Sequence, residues 1–506
     1  MKAIYINIIK KSPLTLLAIF LYSITLCSCS EWLDVKPDDQ EREDDLYKKA
    51  QGFKDALSGC YTTLASQNAY GMRLSMTDVE CLAGQWAEPS QTSQEGDYYL
   101  YHHQYDNDNA RSAIRSMYLG LMNSVAQANL VITHVAGKDG DNIADSRLKN
   151  IIHGEALAIR ALCQFDLLRL FGQMPDNAVK QVSLPYSEEA SINVLPTYYG
   201  YKDYIAKVDS DLCHAERYLY ISDNEAQYQD NPPAIDKGTD NFYTDNRTNH
   251  LNYWAVRALK ARFYLYTGQT DKAYREAKAI LQAHDEDGNT HFQLSSRSDY
   301  QNGYYATPSE CIFALSVDGL GDYAVSTLGG DASAALQTNT QYHITSAMYS
   351  QLYVNTQSDT RYINLWEQTK NGGVTYPTIK KYYYDTSTTY DQADLLTRRE
   401  IVPIVRLSEM YLIAMETTHD LIEANSLYKT YMRARNVSVK SDFASLDAVK
   451  TEVEKEYLRD FYAEGQMFFV YKRLSATHTN WNNGELLNED QYILPLPSSE
   501  YDPADR

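Results

Sequence analysis

The sequence predicts a mostly α-helical protein. Three observations carry this: amphipathic segments of helical period recur along the chain, two of them form a helix hairpin, and two aromatic-rich stretches without periodicity interrupt the series. The hairpin is 251–281, LNYWAVRALKARFYLYTGQTDKAYREAKAIL. Trp254, Ala258, Ala261, Tyr264 and Leu265 recur three and four apart and line one face. Gly268 breaks the run, Thr270-Asp271 suits a helix start, and Ala273, Ala277, Ile280 and Leu281 resume the period.

The order Ala261, Tyr264, Gly268, Ala273 resembles a tetratricopeptide (TPR) helix pair. Small residues let two helices approach closely, so one such pair cannot bury its own face and must stack on others. Before it, helices are expected over 45–64, 111–135, 147–171 and 198–220, with a polar loop over 222–249. The segment 147–171 carries a broad apolar stripe through Ala156, Ile159, Leu162, Cys163, Phe165, Leu167, Leu170 and Phe171 and stops at Gly172. After the hairpin no long helix is expected over 285–399; 310–317 reads as a strand, 342–354 as a short helix, and Gly372-Gly373 as a turn. Helices resume at 406–416, 421–435 and 446–464. Trp254, Tyr264, Tyr411, Phe461 and Phe468 fall at helical spacing and are expected in the core. Glu155 with Arg160, and Arg406 with Glu409, look like pairs that fix helix contacts.

A net charge of −21 argues against nucleic-acid binding, which needs clustered Lys and Arg to neutralise phosphates. The 44 tyrosines suit core packing and wet binding surfaces equally, because each joins an apolar ring to a hydroxyl. Lys2, Lys10 and Lys11 precede an apolar run over 14–26, the layout of a secretory signal peptide and too short to span a bilayer comfortably. The run ends Leu26-Cys27-Ser28-Cys29, which resembles a bacterial lipoprotein cleavage box with small Ser28 before the cut. The expected organisation is a signal peptide over 1–28, lipidation at Cys29 with a polar tether over 29–45, an N-terminal helical region over 46–285 and a C-terminal region over 286–506. Cys60, Cys81, Cys163, Cys213 and Cys311 are odd in number and lack CxxC spacing, so neither a disulfide framework nor a zinc site is expected.

Several segments, in order, resemble the SusD/RagB family of outer-membrane nutrient-binding lipoproteins. They are the lipobox, Glu155-Ala156 through Phe171-Gly172, the 251–281 hairpin, Asp359-Thr360-Arg361-Tyr362, Pro403 through Leu412 (PIVRLSEMYL), the stretch 428–436, Ala463-Glu464-Gly465 leading to Lys472-Arg473, and Ile493-Leu494-Pro495-Leu496-Pro497. The chain departs from the family pattern at Gln466, Met467 and Val470, where a histidine, an arginine and an aspartate are usual; this puts local packing in doubt. The resemblance implies a SusD-like α/α fold with TPR-like pairs as scaffold. It also implies a non-catalytic, lipid-anchored glycan-binding protein at the outer-membrane cell surface that serves a SusC-like TonB-dependent transporter.

A sugar ring has an apolar C–H face and a hydroxyl edge, so its site needs aromatic platforms beside a few polar groups. The irregular stretches supply the candidates. Trp86, Tyr98, Tyr99, Tyr101 and Asn107 come from the first, with Asp108 and Asn109 beside them; Tyr300, Tyr304, Tyr305 and Tyr323 come from the second. Trp366 and Tyr376 are weaker candidates, since a loop aromatic often only anchors its loop. His102-His103 lack a third ligand of known position for a metal. Asp285, Asp287 and Asn289 fit the opening of a calcium loop, but Thr290 stands where the turn needs glycine; no cofactor or metal is assigned, and a structural calcium elsewhere stays open. No HExxH, GxSxG or Walker loop is present. The rivals to glycan uptake are peptide uptake on the same fold, a glycoside hydrolase or lyase, and a TPR-type adaptor.

Overall fold

A computed structural model describes residues 43–91, 96–190, 195–224, 247–284, 288–328, 342–354, 356–371, 374–479 and 486–500. The expected signal peptide and Cys29 lie outside the described residues, as does the tether up to residue 42. Residues 1–48 form one unit, whose described part is a short helix, Glu43–Leu46; residues 49–506 form the other. The helix expected over 45–64 is therefore broken, and its longer piece, α1, is Ala50–Leu64.

In the larger unit, α1 buries Phe53, Leu57, Cys60 and Leu64 along one face. Two five-residue helices follow, α2 (Asp78–Leu82) and α3 (Asp97–Tyr101), and then the long α4 (Asp108–Ala136). The next helix, α5 (Ser146–Phe171), is buried on every side from Gly154 onward, because α1, α4 and α6 (Tyr201–Asn224) all pack on it. Gly154 permits the closest of these approaches: a Cβ there would stand 2.7 Å from Leu219 Cγ.

A helix buried all round must satisfy its charged residues internally. Arg160 forms a fork on Asp211, with both bonds at 2.7 Å, and Glu155 accepts from Arg247, from His250 at 3.0 Å and from the Tyr61 hydroxyl at 2.6 Å. The two residues thus fix helix contacts with other partners and not with each other. Five positions apart on a helix, they point to different neighbours. Lys472, fully buried, donates to Arg169 O at 2.8 Å and Gly172 O at 2.7 Å and so satisfies carbonyls at the C-terminal end of α5.

The hairpin forms as its pattern predicts. Asn252 caps α7 (Tyr253–Tyr266), its side chain accepting from Ala255 N at 2.9 Å; Gly268 turns at φ +74°; α8 (Thr270–Leu281) returns with Ala273 and Ala277 fully buried. Both helices pack on α10 (Leu407–Thr417), beyond a short α9 (Leu320–Thr327), so the two expected chain regions meet along this hairpin. The series closes with α11 (Leu421–Ala434), α12 (Leu446–Asp460) and α13 (Met467–Arg473). Tyr264, Phe461 and Phe468 are core, while Trp254 and Tyr411 remain half-buried.

Among the described residues there are also three small antiparallel ladders: β1 (Leu184–Tyr186) with β2 (Thr197–Tyr199), β3 (Cys311–Ser316) with β6 (Ile401–Arg406), and β4 (Trp366–Asn371) with β5 (Val374–Ile379). The strand expected over 310–317 is β3. Its partner β6 delivers Arg406 into a buried cluster with Glu310 (3.0 Å), Asp460 (3.1 Å) and Glu464 (2.9 Å), while Glu409 pairs instead with Arg262 of α7. Arg406 ends a strand and Glu409 lies inside the following helix, which is why the expected pair splits. The departures from the family pattern are repacked: Met467 and Val470 are buried, and Gln466 accepts from Arg169 at 3.3 Å.

Candidate functional site

The 65–77 segment is irregular by period yet ordered by its own hydrogen bonds, among them Gly71 N to Ser66 O at 3.0 Å and Met76 N to Met72 O at 2.8 Å. It ends on α2 and holds Arg73 against Asp78, Nη1 to Oδ2 at 2.6 Å, while Thr77 donates to the other Asp78 oxygen at 2.9 Å. Burial alone would lower the Arg73 pKa, but the Asp78 carboxylate outweighs burial and raises it, so the guanidinium stays charged. Gly96 opens α3 at φ +86°; a Cβ there would stand 2.8 Å from Asn109 O, so only glycine lets this turn lie against the start of α4. That approach sets Asp97 beside Asn109.

A cleft of about 450 Å³ opens where these pieces meet α9 and Tyr342. Its volume lies in the roughly 300–1,000 Å³ range of small-molecule sites. Arg73, Asp78, Asp97, Asn109 and Gln67 give its polar side, and Tyr323 and Tyr342 its aromatic side. Tyr342 donates its hydroxyl to Asp97 at 2.9 Å, which fixes the ring, and burial pushes its phenol up, keeping it a donor. Tyr342 itself is only 3% exposed, so the ring the cleft can present is that of half-buried Tyr323, beside carboxylate, guanidinium and amide groups.

Of the residues singled out from the sequence, Tyr323 lines this cleft, as does Asn109. Trp86 does not display a ring. It is fully buried between Tyr342 (centroids 5.8 Å) and Tyr462 (5.5 Å), and its Nε1 donates to Met76 O at 2.9 Å. Its polar surroundings mislead because Gln85 beside it is also buried, and Ala87 N is bonded to His343 O at 2.8 Å. Tyr300 is likewise 3% exposed and faces the core. Asn107 caps α4, its side-chain oxygen accepting from Asn109 N at 2.9 Å.

Tyr98, Tyr99 and Tyr101 are half-buried on α3, outside the cleft lining, and Tyr98 packs edge-on to Tyr99 at 5.4 Å. Tyr304 and Tyr305 form a separate cluster with cations: Arg399 lies 4.9 Å from the Tyr304 centroid and 4.0 Å from that of Tyr390, and Lys380 lies 4.7 Å over Tyr305. Trp366 is buried on β4. His102 and His103 diverge, the first to Glu88 and the second to Leu82 O, each at 3.0 Å. Arg73, Asp78, Asp97 and Tyr342 were missed, because charged residues scattered over distant stretches carry no local signal. Among the described residues no group of three or more His, Cys, Asp or Glu is set to hold a metal, and no helix is long and apolar enough to cross a membrane. Residues 285–287 of the calcium-loop resemblance lie outside the described residues.

Residues 31–265 match a SusD-like family described as starch-binding and associating with the outer membrane. A SusD superfamily protein from Bacteroides thetaiotaomicron VPI-5482 superposes with a TM-score of 0.68 at 21% identity, covering 89% of this chain and 97% of that one. Residues 31–265 are thus similar to that SusD-like family, and the chain as a whole has the SusD-like fold. A SusD superfamily protein from Bacteroides vulgatus ATCC 8482 gives a TM-score of 0.66 at 20% identity, covering 90% of this SusD-like chain and 96% of its own. A laminarin-binding SusD-like protein gives 0.62 at 16% identity, covering 90% and 97%. At these identities the likeness carries the fold, which is the mostly helical SusD-like one. No curated protein matches the sequence.

Proposed function

We propose that this SusD-like chain is a non-catalytic binder of oligosaccharide or polysaccharide, lipid-anchored through Cys29 at the outer-membrane surface, that passes its ligand to a SusC-like TonB-dependent transporter. The observation that carries the reading is the cleft that joins Tyr323 and Tyr342 to Arg73, Asp78, Asp97 and Asn109. The Tyr323 ring takes the C–H side of a sugar, with buried Tyr342 backing the wall, and the polar rim takes its hydroxyls. The family description, starch-binding and outer-membrane-associated, and the laminarin-binding structural neighbour point the same way. Anchoring raises the local concentration of captured glycan near a pore, so modest single-site affinity suffices.

Affinity electrophoresis through gels containing different polysaccharides, followed by calorimetry on the retained glycan, tests this. Tyr323→Ala is expected to weaken binding about tenfold or more, equivalent to about 1.4 kcal/mol. Retention by no polysaccharide, with a peptide bound in the cleft instead, would move the reading to peptide uptake on the same fold; release of reducing ends by the purified protein would make it an enzyme.

A further inference from the structure

A second cavity, of about 30 Å³ and sharing no lining residue with the cleft, lies where α5, α7, α10, α12 and α13 converge. A water needs about 10–15 Å³ of such space, so this cavity takes one or two water-sized species. Its wall carries three guanidiniums, those of Arg169, Arg262 and Arg473, together with Tyr266 and Gln466. The Tyr266 hydroxyl is buried and has no hydrogen-bond partner among the described residues. A guanidinium offers several N–H groups, and here some are uncommitted. Arg262 bonds through Nε and Nη2 only, to Glu409 and Ile404 O, and Arg473 through Nη1 and Nη2 only, to Glu416. The acceptors of the wall are already engaged: both Glu409 oxygens take Arg262, and Gln466 Oε1 takes Arg169 at 3.3 Å.

The geometry points to a site for one small monovalent anion of the halide class, held by N–H groups of Arg262 and Arg473 and by the Tyr266 hydroxyl. A water in its place brings two hydrogens of its own to a wall whose acceptors are taken, whereas a halide only accepts. Hydrogen bonds from charged donors are the strong ones, and they offset the desolvation of a buried ion. No surplus of charge is required. Each guanidinium also holds a carboxylate, Asp166 for Arg169, Glu409 for Arg262 and Glu416 for Arg473, and arginine stays protonated in proteins. Of those carboxylates only Glu409 shares the wall. An ion so placed ties α7 of the hairpin to α13, which come from the two expected regions of the chain.

Crystals of the wild-type protein soaked in sodium bromide test the site directly. An anomalous bromine peak within hydrogen-bond distance of the Tyr266 hydroxyl is expected; an ordered water there without bromine signal, or an empty cavity, overturns the proposal. In solution, the thermal midpoint of the full-length protein in detergent is followed as chloride replaces gluconate at constant ionic strength. It should rise with the logarithm of chloride concentration, by about 2 °C for each tenfold above the dissociation constant. Tyr266→Phe keeps the ring and removes one donor, so its rise should begin at chloride at least about tenfold higher. A midpoint indifferent to chloride, even beside a bromine peak, means binding at crystal concentration only and overturns the proposal, as does an onset that Tyr266→Phe leaves unmoved. The soak and the wild-type midpoint decide the matter if Tyr266→Phe fails to fold. Glycan binding enters neither readout, so failure here leaves the glycan reading untouched.

Discussion

Trp86 is enclosed on two sides by the rings of Tyr342 and Tyr462, and its indole N–H is bonded to Met76 O. It therefore ties the floor of the cleft to the segment that carries Arg73 and Asp78, and its truncation should act through stability. Trp86→Ala is expected to cost about 3–5 kcal/mol in denaturant unfolding, and Trp86→Phe, which leaves the Met76 carbonyl without its donor, about 1–3 kcal/mol. Full native stability of the alanine variant together with lost glycan retention would instead make Trp86 a ligand platform. Its sequence context, AGQWAEPSQ, reads as an exposed polar loop, and that reading fails for a physical reason. Polarity signals exposure only where polar groups find water, and here Gln85 and Asp97 find protein partners in the interior. Tyr323 was legible because it sits in an irregular stretch and does reach the cleft, whereas Tyr342 beside it looked like the start of a helix.

The helices themselves were readable because each buries one stripe or, for α5, its whole circumference, and hydrophobic period reports that burial directly. The strands β4 and β6 escaped notice: a six-residue ladder leaves too short a pattern to separate from loop, and PIVRL runs from strand into helix without a break. Between elements the decisive contacts are ionic and join distant parts of the chain. Arg262 of α7 reaches Glu409 of α10 with two bonds, Nε to Oε1 at 2.7 Å and Nη2 to Oε2 at 2.6 Å, both side chains being almost fully buried. Burial pulls the Arg262 pKa down, yet the Glu409 carboxylate outweighs it and the net shift is upward. Removing one partner strands the other charge. Arg262→Met should therefore destabilise by about 3–5 kcal/mol, and adding Glu409→Leu to it should recover much of the loss. A single-variant cost no larger than that of a surface ion pair, about 0–1 kcal/mol, would mean the two helices are held by apolar packing alone.

Across the whole molecule, buried carboxyls are held in opposite states, and this gives stability a definite pH profile. Burial pushes the Glu155 pKa up, but Arg247, His250 and Tyr61 together outweigh it and hold it at about 2; Asp460, facing Arg435, Arg406 and Arg361, is likewise held well below its usual range. Their contribution is complete above the unfolded carboxylate range and is lost as pH falls from about 4.5 toward 2. Burial also holds His103 and His153 neutral, with pKa values near 4 against 6.5 unfolded, so loss on the acid side begins between pH 6.5 and 4. Glu80 works the other way. Buried beneath the cleft loop and accepting from Gly465 N at 2.7 Å, it is pushed up to about 8, mainly by burial, against 4.5 unfolded. As pH rises from 4.5 to 8 the unfolded chain releases this proton while the folded one keeps it, so the folded state loses ground throughout that window. Glu80→Gln imitates the protonated carboxyl and cannot titrate. Its thermal stability relative to the wild type should therefore rise steadily from pH 5 to pH 8. Taking the difference between the two proteins cancels the self-repulsion that a net charge of −21 adds to both. A difference that stays flat over this range would mean Glu80 is ionised in the fold, balanced by Lys381, and the alkaline loss would then have to arise from that general repulsion.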